Sequence, residues 1–177
     1  RREAARFAPA GLPLQWCGIV LRSVAGRTSY ERCMPPGDVG VISPFNFPLL
    51  LSMRSVAPAL ALGNAVVLKP DPQTPVSGGF LIARAFEEAG LPPGVLQVVP
   101  GDADAGAAVV EAPEVRMIAF TGSTAAGRKV GELAGRLLKK VSLELGGKNT
   151  LVVLDDADLD LAASNAAFGA FFHQGQI

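Results

Sequence analysis

Short apolar runs alternate with helix-period segments along most of this chain. Residues 38–42, 65–68, 95–99, 115–120, 141–145 and 151–154 are almost unbroken apolar stretches of four to six residues, the pattern of strands buried on both faces. Between them, 49–62, 74–89, 103–111, 124–138 and 158–172 carry apolar residues at helical spacing. Local signals mark several ends. Pro44 and Pro48 pin the turn before the first helix, and Gly63 is placed to close it. Thr74-Pro75 supplies a capping hydroxyl and a ring preset for the first helical position, Gly90 is a C-cap, and Asp156 is the expected cap of the last helix. Regular strand–helix alternation implies an α/β fold: a mainly parallel open sheet with helices on both faces, Rossmann-like in outline. Residues 1–36 follow another rule, a strand-like patch at 14–24 and then a loop at 26–36, so the alternating α/β region is expected to run over 37–177.

Composition narrows the class. Sixteen basic and sixteen acidic residues cancel, and no basic cluster exceeds a pair, which removes nucleic acid and anionic membranes as expected partners. The most apolar region, 45–68, is broken by Arg54, Pro58 and Gly63-Asn64 and cannot span a bilayer. Cys17 and Cys33 belong to no ligand or redox motif and are expected as reduced thiols of a cytoplasmic protein. The single histidine, His173, stands in no ligand or base motif of the sequence and reads as a helix-end cation, so no metal is expected. Phe168, Phe171 and Phe172 have the spacing of one packed helix face. The chain begins with Arg1 and carries no signal peptide pattern, so it is expected to be a piece of something longer.

Candidate chemistry concentrates at 115–149. An apolar strand enters Thr121-Gly122-Ser123-Thr124 and continues as a helix, and a helix start of this kind presents free N–H groups to a phosphate. The next strand ends on Glu144 before Gly146-Gly147, placing a candidate base where open α/β sheets bind ligands. The dinucleotide fingerprint G-x-G-x-x-G is absent. Gly122 and Gly127 have the spacing of a P-loop, and 151–155 resembles a magnesium-binding strand. The slots that need Lys and Ser/Thr hold Arg128 and Lys129 instead, which disfavours an NTPase.

Five ordered motifs supply a family resemblance: Pro44-Phe45-Asn46-Phe47-Pro48, 63–70 (GNAVVLKP), Phe120-Thr121-Gly122-Ser123, 144–149 (ELGGKN) and Gln174-Gly175-Gln176-Ile177. In order and spacing the chain resembles the aldehyde dehydrogenase superfamily, which implies an NAD(P)-binding domain over 37–177, a partial oligomerisation-type segment over 1–36, and a catalytic domain whose remainder is expected to lie outside this chain. The resemblance implies oxidation of an aldehyde to the carboxylic acid through a thiol adduct, hydride transfer to NAD or NADP, and thioester hydrolysis. Asn46 would be the oxyanion donor, where without the motif it reads as a turn asparagine. Glu144 would activate the deacylating water, where alone it reads as a solvated strand-end carboxylate; a glutamate here also speaks against the branch that passes the acyl group to coenzyme A. Cofactor contacts carried over are Ile42, Ser43, Pro44 and Phe45 beside the nicotinamide, Lys69 near the adenine ribose, Gly106 beneath the adenosine, Phe120, Thr121, Gly122 and Ser123 toward the pyrophosphate, and Leu145 and Gly146 at the nicotinamide end. Pro72 stands where NAD-preferring members carry a glutamate, which leans toward NADP tolerance. The family's cysteine would follow Ile177, so the chain as given is expected to be inactive. A noncatalytic dinucleotide-binding or subunit-interaction protein is the alternative. Phe45, Phe47 and Met53 read either as the lining for an apolar or aromatic aldehyde or as core packing, and the full-length form is expected to be a homo-oligomer.

Overall fold

A computed structural model describes residues 18–176. They belong to two units, 1–145 and Gly146–Ile177. Among the described residues the first unit opens with a separate antiparallel hairpin of β1 (Ile19–Leu21) and β2 (Ser29–Glu31). A strand thus forms where the sequence suggested only loop, because Tyr30 and its neighbours find a ladder partner in β1. The expected patch at 14–24 lies partly outside the described residues, as does Cys17.

The main sheet has five parallel strands: β3 (Asp38–Ile42), β4 (Ala65–Lys69), β5 (Leu96–Val98), β6 (Val115–Thr121) and β7 (Lys140–Glu144). Their spatial order is β5-β4-β3-β6-β7. The chain starts in the middle at β3, walks out through β4 and β5, then returns to lay β6 on the other side of β3. The reversal between β3 and β6 is a topological switch point.

Helices cover both faces. α1 (Pro48–Ala61) and α2 (Leu81–Glu88) lie on one side, α3 (Ala103–Glu111) and α4 (Thr124–Arg136) on the other. Strand alternation divides the core accordingly. Val39, Val41, Val66 and Leu68 pack with Val56 of α1 and Ile82 of α2, joined by Met117 and Ala119. Ile42, Ile118 and Phe120 pack with Val109 and Val110 of α3 and Ala134 of α4. Gly40 belongs to the second face: a Cβ there would come within 2.7 Å of Val109 and 2.9 Å of Ile118, so α3 can seat on the sheet only over a glycine.

Local signals set the helix ends. Pro48 occupies the first turn of α1, where its missing N–H costs nothing. Gly63, at φ +84°, ends it while Asn64 N–H returns to the Ala59 carbonyl. The segment expected as one helix from Thr74 is instead a π-helical turn, Val76–Phe80, followed by α2. Gly78 and Gly79 there press against Pro48, Pro70 and Val98, and it is this tertiary contact that a side chain would block. Thr74 does not cap with its hydroxyl: its carbonyl accepts from Gly78 N–H, and its Oγ1 is buried without a hydrogen bond.

The second unit holds α5 (Leu159–Phe171) and a short 3₁₀ turn, Phe172–Gly175. Its cap is Asp158, whose Oδ1 accepts from Asp160 and Leu161 N–H, and not Asp156. Residues 151–154 form no strand; all four side chains are exposed and no ladder partner stands beside them among the described residues. The aromatic face of α5 is likewise not buried: Phe168, Phe171 and Phe172 are exposed, and Phe168 stacks on Phe172 at 4.6 Å.

Candidate active site

The strand register draws one line across the carboxyl ends of the sheet. Lys69 pairs with Ile42, Ile42 with Phe120 and Phe120 with Leu143; one step on, Thr121 pairs with Glu144. The ladder extends just past the strands, with Ser43 N–H to the Lys69 carbonyl at 3.2 Å and Gly122 N–H to the Glu144 carbonyl at 3.0 Å. Two loops flank the switch point, 43–47 after β3 and 122–123 after β6. Asn46 lies on the first, and Ser123 on the second.

Alternation sorts these residues between the two faces. Ile42 sits in the α3/α4 core, so its neighbour in register, Lys69, shares that face and is itself 7% exposed. Gly106 of α3 lies over Ile42: a Cβ there would meet only Ile42 Cδ1, at 3.9 Å. Leu143 and Leu145 point to α4, where Cβ atoms built on Gly131 and Gly127 would touch them. Ser123 caps α4 by accepting from Ala126 N–H at 3.2 Å. Gly127 N–H bonds the Ser123 carbonyl, so the amides of Thr124 and Ala125 are the ones without an intrahelical acceptor.

Glu144 belongs to the opposite face. It pairs with Thr121, two residues on from Ala119 of the α1-side core, and its Oε2 meets Arg54 Nη2 of α1 at 3.3 Å. Asn46, half-buried, lies immediately before α1 on the loop that carries the chain onto this face. Glu144 therefore lies on the α1 side of the sheet, Asn46 lies on the loop that leads into α1, and Lys69, Gly106 and the α4 start share the α3/α4 side.

Ser43, Phe120, Gly122 and Gly146 are placed differently from a simple lining. Ser43 is buried and its hydroxyl meets Ser52 Oγ at 2.7 Å, while Ser52 donates to the Gly78 carbonyl at 2.7 Å. Ser52 has one proton and spends it on Gly78, so Ser43 is the donor to Ser52. Phe120 is 6% exposed, its ring set beneath Gly122, so it serves the core and the loop above it. Pro44 is half-buried and Phe45 exposed. Gly146 is the first residue of the second unit. The residue that sequence reasoning missed is Arg54, although it is the only charged position in α1.

Cys33 is exposed and lies far from these groups. Pro35, two residues on, packs beside Gly63 at the amino end of β4. A five-residue strand separates that end from the site by about 16 Å.

A parallel sheet with a switch point thus carries a helix start and a buried lysine on one face, and on the other a carboxylate held by an arginine of the helix that follows the asparagine loop, a layout in which open α/β sheets bind ligands. The profile of the aldehyde dehydrogenase family matches residues 7–177, and the chain belongs to that family. It is similar to a vanillin dehydrogenase of Amycolatopsis sp., 66% identical over 97% of this chain and 35% of the relative. An NAD(+)-type benzaldehyde dehydrogenase of Pseudomonas putida is 61% identical over 88% of this chain and 32% of its own length. An NAD+ complex of a Bacillus cereus aldehyde dehydrogenase superposes with a TM-score of 0.93 at 40% identity, over 98% of this chain and 35% of that one. The chain spans about a third of the length of the curated relatives it matches.

Proposed function

We propose that this chain is the cofactor-binding part of an NAD-dependent dehydrogenase that oxidises an aromatic aldehyde to its carboxylic acid. The observation that carries it is the division of the site by strand parity, with dinucleotide-holding groups on the α3/α4 side of the switch point and reacting-centre groups on the α1 side. The residues fit a dinucleotide: the Thr124 and Ala125 amides offer donors to a pyrophosphate, Lys69 offers a cation, and Gly106 leaves room where a larger side chain would stand. Bound there, the nicotinamide would supply the hydride acceptor.

The chain's own residues do the rest. The Asn46 amide donates to the oxyanion that forms when a thiol adds to the aldehyde carbon. Glu144 takes a proton from the water that hydrolyses the acyl group. The Ser43–Ser52–Gly78 chain holds the loop that presents Asn46. Cys33 stands at the wrong end of the sheet to be the nucleophile, and with no other described cysteine near the site we expect this chain alone to be inactive. The substrate class follows the relatives above and the exposed ring of Phe45 beside Asn46.

NAD is the cofactor of first choice, with NADP tolerated. Pro72 offers no carboxylate to repel a 2′-phosphate, and the Asp71 Oδ1 is occupied by Gln73 N–H at 2.9 Å. The test is the full-length enzyme assayed with benzaldehyde and vanillin for acid and reduced cofactor. We expect turnover with both cofactors, a loss of about a hundredfold in kcat for Asn46→Ala, and none from residues 1–177 alone. Absence of aldehyde-dependent reduction by the full-length protein would overturn the assignment.

A further inference from the structure

We propose that Arg54 is the positioning residue of the general base, anchoring one oxygen of Glu144 so that the other faces the hydrolytic water. The proposal rests on the reading of Glu144 given above. Its basis is a register argument together with a contact. On β7, Lys140, Ser142 and Glu144 pair with Met117, Ala119 and Thr121 of β6, and Met117 and Ala119 pack with α1. Glu144 is thereby committed to the α1 side, and Leu143 and Leu145 to the α4 side. Arg54 is the only charge in the fourteen residues of α1, and its Nη2 lies 3.3 Å from Glu144 Oε2.

The helix that carries Arg54 cannot turn freely. Ser52 and Val56, on either side of it in sequence, are fully buried, and Ser52 is bonded to both Ser43 and Gly78. The same helix begins two residues after Asn46. One rigid element therefore spaces the oxyanion donor and the anchor of the base. The two side chains are 46% and 56% exposed, and an ion pair this open to water adds little to folding. Its consequence is orientation. A carboxylate at a strand end with no fixed partner samples several rotamers, whereas a guanidinium charged at every working pH holds it from one oxygen. Oε1 is then left to accept the proton of the attacking water while Oε2 stays on Arg54. The proton passes from water to Oε1 as the water oxygen bonds the acyl carbon and the thiolate leaves.

The test uses the full-length enzyme with Arg54→Met, Arg54→Lys, Glu144→Gln and the Arg54→Met/Glu144→Gln pair. A rapid-mixing trace separates the first reduction of cofactor from later turnovers. We expect Arg54→Met to keep the rapid first reduction and the KM for aldehyde, and to slow the steady phase about tenfold. Arg54→Lys should recover most of that loss, and Arg54→Met should add nothing in the Glu144→Gln background. Arg54→Gln, equally compatible with a helix, replaces the methionine variant should that one misfold. A steady phase within twofold of the parent overturns the proposal, as does an equal loss with and without Glu144. So does a rise in aldehyde KM alone, which would make Arg54 a substrate contact. A parent enzyme with no aldehyde-dependent reduction overturns the functional reading itself.

Discussion

Replacing Ser52 with alanine tests the physical link between the core and the Asn46 loop. Ser52 is fully buried; its hydroxyl accepts from Ser43 and donates to the Gly78 carbonyl, each at 2.7 Å. Ser52→Ala removes one oxygen and leaves a buried donor and a buried acceptor without partners. Each orphan costs about 1–3 kcal/mol, so the variant should lose about 3 kcal/mol in all. Ser43→Ala is milder, about 1 kcal/mol, because Ser52 keeps its bond to Gly78. In the double variant only the Gly78 carbonyl is orphaned. Its loss should be about 2 kcal/mol, below the sum of the singles, and that shortfall is the signature of a directed chain. Urea unfolding followed by circular dichroism reads all three; with a slope of about 2 kcal/mol per molar, Ser52→Ala moves the midpoint down by about 1.5 M. A single variant within about 0.5 kcal/mol of the parent, or strict additivity in the double, would refute the reasoning.

Other substitutions separate fold from site. Gly106→Ala should raise stability by about 0.5–1 kcal/mol, since the helix gains a better former and the methyl meets only Ile42, while weakening dinucleotide binding in a calorimetric titration of the full-length enzyme. Leu138 stands at φ +54° with its side chain almost wholly in solvent, 94% exposed, so Leu138→Gly should relieve backbone strain and stabilise by about 1 kcal/mol in thermal unfolding. Burial, followed by the nearby Arg116, lowers the Lys139 ammonium from 10.5, with Glu114 opposing. The unfolded chain then holds more protons between the lowered value and 10.5, so stability should rise with pH across that window. Arg116→Ala should move the Lys139 midpoint upward in an NMR titration.

Elements with local causes were legible before any coordinates. Pro48 and Gly63 bracket α1 through their own backbone restrictions, and the buried strands announce themselves as apolar runs. Where a partner several elements away decides the outcome, the pattern misleads. Residues 151–154 have the composition of a strand, yet a strand needs a neighbour, and no described residue provides one. Gly78 and Gly79 look like ordinary helix positions, and only their approach to Pro48, Pro70 and Val98 explains the π turn. Asp156 and Asp158 are equivalent caps by composition; geometry chose the second.

The site shows the same division more sharply. Its motif residues could be named from the sequence because each sits just past a strand or at a helix start. Which face each side chain takes depends on register, and register is a long-range property. A slip of one residue between β6 and β7 would send Glu144 toward α4 and Leu143 toward α1, exchanging a carboxylate for an apolar side chain beside Arg54. The Gly127 and Gly131 contacts oppose that slip, since α4 can approach β7 only where leucines fill the space above these two of its glycines. Apolar packing on one face of β7 thus decides the orientation of the proposed base on the other.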